Sequence, residues 1–179
     1  DNHKKDSCES EFITMCRNRN FYGEENIHTK NWSEIHWRTY LYVYYRMVEQ
    51  VDREIGKVLG AIRHSGLEKS TLIIFTSDHG ESMAAHQLVV KLMLYEEPMK
   101  VPFVMSFPDR IPCGIEDKTH LISGADILPT ICDYAEIPCS GVTGRSIKEV
   151  VDNPSAVGRE FVVSELDTSQ PGMTSRMIR

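Results

Sequence analysis

Apolar residues recur at spacings of three and four positions between residues 44 and 62, a pattern that predicts one long amphipathic helix. The positions of this apolar face are Tyr44, Met47, Val48, Val51, Ile55, Val58, Leu59 and Ile62. Ser33 is placed to cap the helix, and Ser65-Gly66 is placed to end it, with Gly66 in a left-handed conformation. We expect this face to pack against the core, because tertiary packing normally stabilises such a helix.

Two further segments, residues 71–76 and 101–107, are continuously apolar rather than alternating. Such runs are typical of strands covered on both faces, as in a parallel sheet. A second helix is predicted near residues 123–135, and its expected core positions are Ile127, Leu128, Ile131, Cys132 and Ala135. Short strands are predicted at residues 161–163 and from residue 177. The alternation of helices and strands predicts an α/β fold.

The first 32 residues show neither periodicity and are predicted to form an irregular N-terminal arm, which leaves residues 33–179 for the domain. With 179 residues, 41% hydrophobic and 26% charged, the chain has the composition of one ordinary globular domain. The net charge of −6 argues against a nucleic-acid partner, which normally meets a clustered basic face. Since no run of ~18 apolar residues occurs, neither a membrane-spanning helix nor a membrane partner is predicted.

The cysteines follow no disulfide or zinc-binding pattern. There are five of them, without a C-x-x-C pair: Cys8, Cys16, Cys113, Cys132 and Cys139. We therefore expect mostly reduced, partly buried thiols. Reduced thiols weakly favour a cytoplasmic location, but a targeting segment upstream of Asp1 would decide the compartment.

The segment most indicative of chemistry follows directly after the first predicted strand. Asp78 and His79 lie where the strand ends, which is where α/β sheets bind their ligands. A carboxylate favours hard cations such as calcium, magnesium or manganese, and an imidazole is also a ligand for zinc and manganese. The alternative is that Asp78 caps a turn and that His79 is an ordinary surface residue.

His86 and Lys91 follow at short intervals. A lysine near a metal suits an anionic oxygen of a substrate, because it supplies positive charge where negative charge develops. Taken singly, Lys91 is equally consistent with a solvated surface charge, and His86 with a hydrogen-bonded structural histidine.

Together these segments resemble the sulfatases of the alkaline phosphatase-like superfamily. The resemblance rests on the ordered motifs Ser77-Asp78-His79-Gly80-Glu81, His86, Lys91, Leu94-Tyr95-Glu96-Glu97 and Val101-Pro102-Phe103. Downstream, residues 125–130 and 144–146 resemble the D-hydrophobic-x-P-T and G-x-S segments of the family. The similarity covers roughly residues 38–179, although residues 83–88 lack the glycines that the family carries around its histidine.

The resemblance implies a fold, an activity and a set of residue roles. The fold would be part of the family's three-layer architecture, with a mainly parallel sheet flanked by helices, and the activity would be sulfuric ester hydrolysis. Asp78 and His79 would be ligands of Ca²⁺, with Mn²⁺ or Zn²⁺ as alternatives. Lys91 would contact the sulfate group, and His86 would lie near the substrate, a sulfate-ester small molecule or saccharide. Asp126 and Arg145 would be structural.

The family nucleophile, a formylglycine made from Cys or Ser in a C/S-x-P-S/A-R motif, is not found in this sequence. None of the five cysteines is followed two residues later by proline. Ser106 begins a loose S-x-P-x-R match, but it lies at the end of a predicted strand and the fourth position is Asp109. We therefore expect the chain to be the C-terminal portion of such an enzyme, inactive alone and able to dimerise through exposed sheet edges.

Two alternative functions remain open. One is a phosphodiester or phosphonate monoester hydrolase of the same superfamily, whose metal centre shares these ligands. The other is a non-catalytic binding module that reuses the fold, since fold does not determine function.

Overall fold

The computed structural model describes residues 8–18, 29–91, 93–167 and 174–179. The chain divides into two compact units, each made of segments that are separated in sequence. The first unit comprises Asp1–Gly60, His79–Val101 and Glu165–Arg176, and the second comprises Ala61–Asp78, Pro102–Ser164 and Met177–Arg179. The buried apolar residues are Trp37, Ala84, Ala85, Leu88 and Met93 in the first unit and Phe107, Cys132, Tyr134 and Ile147 in the second.

The N-terminal arm contains a helix that the sequence pattern did not predict. Helix α1 spans Glu11–Asn18, and a 3-10 turn follows at Thr29–Asn31. An acidic residue in the first turn of α1, Glu11, and a basic one in its last turn, Arg17, both suit the helix dipole. The expectation of an irregular arm is therefore wrong for this segment, because its periodic stretch is too short to stand out among polar neighbours.

Helix α2 spans Glu34–His64 and confirms the predicted long helix. It begins directly after Ser33 and ends as expected, because Gly66 has a φ of +69° and Leu67 N–H donates to the Ile62 carbonyl at 3.1 Å. That backbone bond is typical of a helix closed by a left-handed glycine.

The apolar face of α2 is largely exposed, contrary to the expectation that it packs against the core. Met47, Val48 and Val51 are 52%, 49% and 55% exposed, respectively. Helical periodicity shows that an apolar face exists, but it does not show which part of a protein covers that face. Within the described ranges, this face is open to solvent.

Two strands form a small sheet in the second unit. β1 (Ile73–Thr76) and β2 (Phe103–Ser106) confirm the two predicted apolar strands, but they pair antiparallel, with Phe75 opposite Val104. The parallel arrangement is thus wrong for this pair, since a continuous apolar run indicates burial on both faces and not strand direction. Phe75 and Val104 are 41% and 55% exposed, so the described residues leave this part of the sheet uncovered.

The predicted second helix is confirmed, with a different buried side. A 3-10 turn at Gly124–Asp126 leads into α4 (Ile127–Tyr134). The buried residues of α4 are Pro129, Thr130, Cys132 and Tyr134. Leu128 and Ile131, expected in the core, are 54% and 42% exposed. The buried side of α4 is instead the side on which Asp126 and Thr130 make polar contacts, and an apolar sequence pattern does not indicate such contacts.

The remaining elements are short. α3 spans Glu96–Met99, and α5 spans Lys148–Asp152. β3 (Val163–Leu166) pairs with β4 (Ser175–Ile178), near the two positions where short strands were predicted. The mixture of helices and strands confirms the α/β class.

A membrane-spanning helix and disulfides are two features that the sequence does not predict. In the part of the chain that the structure describes, no helix combines the length and the apolar character needed to cross a membrane. All five cysteines are thiols rather than disulfides. Burial raises the pKa of the Cys16 thiol to about 11, which makes this thiol a poor nucleophile.

Candidate functional site

The two predicted metal ligands are consecutive in sequence and directly follow β1. Asp78 is exposed and ends a segment of the second unit, where its Oδ1 accepts a hydrogen bond from the Ser77 hydroxyl at 3.3 Å. His79 is half-buried and begins a segment of the first unit. The strand end that the sequence predicted therefore carries both residues.

The two ring nitrogens of His79 have different roles. Nδ1 lies 2.7 Å from the Gly80 carbonyl oxygen, which can only accept, so Nδ1 carries the proton and donates. Nε2 therefore has the lone pair, and it accepts a hydrogen bond from Nζ of Lys91. Metal-binding histidines usually have this arrangement. One ring nitrogen donates its N–H to a backbone carbonyl, and the lone pair of the other nitrogen binds the cation.

The structure places His86 against two residues of the Leu94-Tyr95-Glu96-Glu97 motif. The His86 ring stacks on Tyr95, with ring centroids 3.9 Å apart and an interplanar angle of 8°. His86 Nε2 lies 3.6 Å from Oε2 of Glu97, which is an electrostatic contact and too long for a hydrogen bond. His79 and Lys91 are thus in direct contact, whereas His86 is oriented by a ring and a carboxylate.

The loop that carries His86 has an unusual backbone conformation for its sequence. Met83, Ala84, His86, Gln87 and Val90 have φ angles of 52°, 66°, 55°, 56° and 68°, respectively. A left-handed conformation costs a non-glycine residue roughly 1–2 kcal/mol. The glycines that the family carries around its histidine are absent here, yet the backbone adopts a conformation that favours glycine.

Glu81 and Tyr40 belong to the same site, although sequence reasoning assigned neither a role. The Tyr40 hydroxyl donates to Oε1 of Glu81 at 2.6 Å, and the same oxygen accepts the backbone N–H of Val90. Burial, followed by the hydrogen bond and the charge of Glu81, raises the pKa of Tyr40. Glu81 therefore joins α2 to the residue before Lys91. The place of Glu81 in the Ser77–Glu81 motif was the available signal, whereas the apolar periodicity of α2 gives none for Tyr40.

Replacing Tyr40 with phenylalanine is expected to lower the free energy of unfolding by about 1.5–3 kcal/mol, the range for a hydrogen bond to a charged group. Urea denaturation followed by tryptophan fluorescence measures this change, because Trp32 and Trp37 pack edge-on in the first unit with centroids 4.7 Å apart. The matched control is Tyr42→Phe, since Tyr42 is 65% exposed. Equal effects of the two substitutions would contradict the role of the Tyr40–Glu81 bond.

The donor chemistry of Asp78 and His79 fits a divalent cation. A carboxylate oxygen and an imidazole nitrogen with its lone pair directed outward are ligands of calcium, manganese and zinc sites. In residues 8–18, 29–91, 93–167 and 174–179, no group of three or more His, Cys, Asp or Glu side chains is placed to hold an ion. A cation at this pair therefore needs further ligands.

Comparison with known proteins gives the context for these motifs. The family model described as Sulfatase matches residues 2–137. Among curated proteins, the chain is 38% identical over 107 residues to an endo-4-O-sulfatase of Bacteroides thetaiotaomicron, covering 58% of this chain and 21% of the relative. It is 31% identical over 166 residues to a Δ4,5-hexuronate-2-O-sulfatase of the same organism, covering 83% and 32%. The chain thus spans between a fifth and a third of these relatives.

Solved structures extend the comparison to the fold. A 2-O GAG sulfatase superposes with a TM-score of 0.71 at 28% identity, covering 77% of this chain and 31% of that protein. A phosphonate monoester hydrolase of Agrobacterium radiobacter superposes with a TM-score of 0.68 at 29% identity, covering 79% and 29%. The alkaline phosphatase-like fold predicted from the motifs is therefore confirmed. The match over residues 2–137 also includes the N-terminal arm, which the motif resemblance had left out.

Proposed function

This chain belongs to the sulfatase family, and on that premise we propose that it carries part of a centre that hydrolyses sulfuric esters at a divalent cation. Asp78 and His79 would provide two ligands of the ion, which would act as a Lewis acid towards the sulfate group. The observation that carries the proposal is the contact of Lys91 Nζ with His79 Nε2 in the first unit.

This contact suits both residues to an anionic ester. His79 Nε2 has a single lone pair, so it accepts either Lys91 or a cation. In the second case, the exposed ammonium of Lys91 keeps its positive charge for a sulfate oxygen. The ring of His86, held between Tyr95 and Glu97, would line the substrate side of the same loop.

We propose a sulfated saccharide as the substrate class of the whole enzyme. The names of the two bacterial relatives, an endo-4-O-sulfatase and a hexuronate-2-O-sulfatase, support a sulfated sugar. Ca²⁺ is the proposed ion because of the carboxylate ligand, with Mn²⁺ or Zn²⁺ as alternatives. A formylglycine nucleophile would have to come from outside these 179 residues.

Phosphonate or phosphate ester hydrolysis is the second candidate. It is supported by the superposition with the phosphonate monoester hydrolase of Agrobacterium radiobacter. Tight binding of Mn²⁺ or Zn²⁺ with little affinity for Ca²⁺ would favour this candidate, because the preferred ion reflects the ligand set of the centre.

Calorimetric titration of the chain with Ca²⁺ and Mn²⁺ tests the metal assignment. Asp78→Asn should weaken binding by more than the ~10–100-fold that loss of an outer-shell partner causes, because it removes a direct ligand. The matched control is Asp52→Asn on the exposed surface of α2. Binding by wild type that Asp78→Asn leaves unchanged, or a matching loss in Asp52→Asn, would rule out Asp78 as a ligand.

An aryl sulfate assay tests the expectation that this chain alone has no turnover. Wild type and Asp78→Ala should both hydrolyse the ester at the background rate, because the chain contains no formylglycine motif. Metal-dependent hydrolysis by wild type that disappears in Asp78→Ala would overturn this expectation.

A further inference from the structure

The loop of residues 82–90 has a largely left-handed backbone and is contacted by residues from outside the loop. Five non-glycine residues in nine positions have positive φ angles: Met83, Ala84, His86, Gln87 and Val90. Backbone of this kind persists only where surrounding groups determine it, and such strain collects at binding and catalytic sites. We therefore expect contacts between this loop and neighbouring residues to impose its conformation.

Arg17 makes the most extensive of these contacts. Its side chain is buried, and its Nε and Nη2 atoms donate to the His86 carbonyl oxygen at 3.1 Å and 2.6 Å. Nη1 and Nη2 also form a two-pronged ion pair with the carboxylate of Glu9. The guanidinium is planar and is fixed in orientation by Glu9, so its donors are preorganised towards one carbonyl. That carbonyl belongs to a left-handed residue.

One weaker contact from the N-terminal segment acts on the same loop, and one backbone bond closes the loop on itself. The Thr29 hydroxyl donates to the Gln87 carbonyl at 3.4 Å, whereas Ser82 N–H donates to the Val90 carbonyl at 3.0 Å within the loop. Thr29, like Arg17, precedes α2 in the chain. The N-terminal segment thus contacts the carbonyls of two consecutive left-handed residues.

We propose that Arg17 is a positioning residue, which keeps the loop of residues 82–90 in the conformation that presents His86 and Lys91. The Arg17 guanidinium contacts the Glu9 carboxylate and the His86 carbonyl, so Arg17 acts through the loop rather than on a substrate. The link to catalysis rests on the proposed function of His86 and Lys91, whereas the effect on loop conformation does not depend on it.

Hydrogen exchange of the whole chain, followed by mass spectrometry on peptides covering residues 82–91, tests the proposal. Arg17→Gln should accelerate exchange of these amides by about tenfold or more, since it removes the charge-assisted bonds to the loop. The matched control is Arg38→Gln, because Arg38 forms only an exposed ion pair with Glu34 at 3.8 Å among the contacts described. Equal exchange in the two variants would overturn the proposal.

Rescue by glycine separates positioning from a general structural role. Ala84→Gly relieves the left-handed strain, so exchange in Arg17→Gln/Ala84→Gly should return most of the way to wild type. Ala85→Gly is the matched control, because Ala85 is as buried as Ala84 at 4% exposed and has no positive φ. Rescue by both glycines, or by neither, would overturn the proposal.

Arg17→Lys covers the case in which Arg17→Gln does not fold. Lysine keeps the charge beside Glu9 but lacks the planar guanidinium with its several donors. Hydrogen exchange of the loop amides should therefore rise less than in Arg17→Gln, and Ala84→Gly should still rescue it. Calcium titration of wild type and Asp78→Asn separates this proposal from the proposed function. If Asp78→Asn leaves Ca²⁺ affinity unchanged but the exchange pattern holds, the metal assignment fails alone; unchanged exchange in the Arg17 variants overturns the role of Arg17.

Discussion

Asp126→Asn is expected to lower the free energy of unfolding of the second unit by about 3–5 kcal/mol, the range for breaking a buried ion pair. Only 1% of the Asp126 side chain is exposed, and its Oδ1 lies 2.5 Å from Nη2 of Arg159. Oδ1 also accepts Arg145 N–H at 2.9 Å, and Oδ2 accepts Ser123 N–H at 2.8 Å. Asparagine removes the charge and replaces one of the two acceptor oxygens with an NH2 group, which would face a donor instead of accepting from it.

Urea denaturation followed by hydrogen exchange of the α4 amides measures this effect, because the helix begins directly after Asp126. Asp152→Asn is the matched control, since Asp152 is exposed at the end of α5. It should change stability by less than ~0.5 kcal/mol. A loss of similar size in both variants would show that the buried carboxylate contributes nothing specific.

Asp126 also shows which contacts a local sequence pattern can predict and which it cannot. Its capping role could be predicted, because a capping box with Ser123 spans only three residues and involves neighbouring backbone groups. The ion pair with Arg159 joins residues 33 positions apart, and no periodicity relates them. Short-range chemistry was therefore predictable, whereas the contact with the larger expected energy was not.

The candidate site divides in the same way. The position of Asp78 and His79 at the end of β1 was predictable, because both residues directly follow an apolar run. The contact of His79 with Lys91 spans 12 residues, and the motif resemblance named both residues without predicting this contact. The bond between Tyr40 and Glu81 spans 41 residues, and an aromatic position within a periodic helix gave no sign of a hydrogen-bond role.

Two further differences between prediction and structure concern surfaces whose neighbouring segments cannot be identified from the local sequence. The apolar pattern of α2 correctly predicted a helix with one apolar face, and the runs at β1 and β2 correctly predicted strands. Burial of that face and parallel pairing of those strands depend on which other segments lie alongside. The chain spans 21% and 32% of the two relatives described above.

The last prediction concerns the glycine between His79 and Glu81. Gly80→Ala is expected to lower the free energy of unfolding of the first unit by about 2–4 kcal/mol, combining overpacking with the weakening of one backbone bond. Gly80 N–H donates to the Pro98 carbonyl at 2.7 Å. A Cβ at this position would overlap the Glu97 carbonyl oxygen and lie 3.1 Å from its carbonyl carbon. Since both obstacles are backbone atoms, no side-chain rotation relieves them.

The same substitution elsewhere in the chain should have the opposite sign. Gly56 lies within α2, and a Cβ there meets no heavy atom within 4 Å, so Gly56→Ala should stabilise the helix by about 0.5–1 kcal/mol. Urea denaturation followed by tryptophan fluorescence compares the two variants. Opposite signs would establish that Gly80 is required for close backbone approach beside His79. A stabilising Gly80→Ala would contradict that approach, and with it the loop geometry on which the contact of Lys91 with His79 depends.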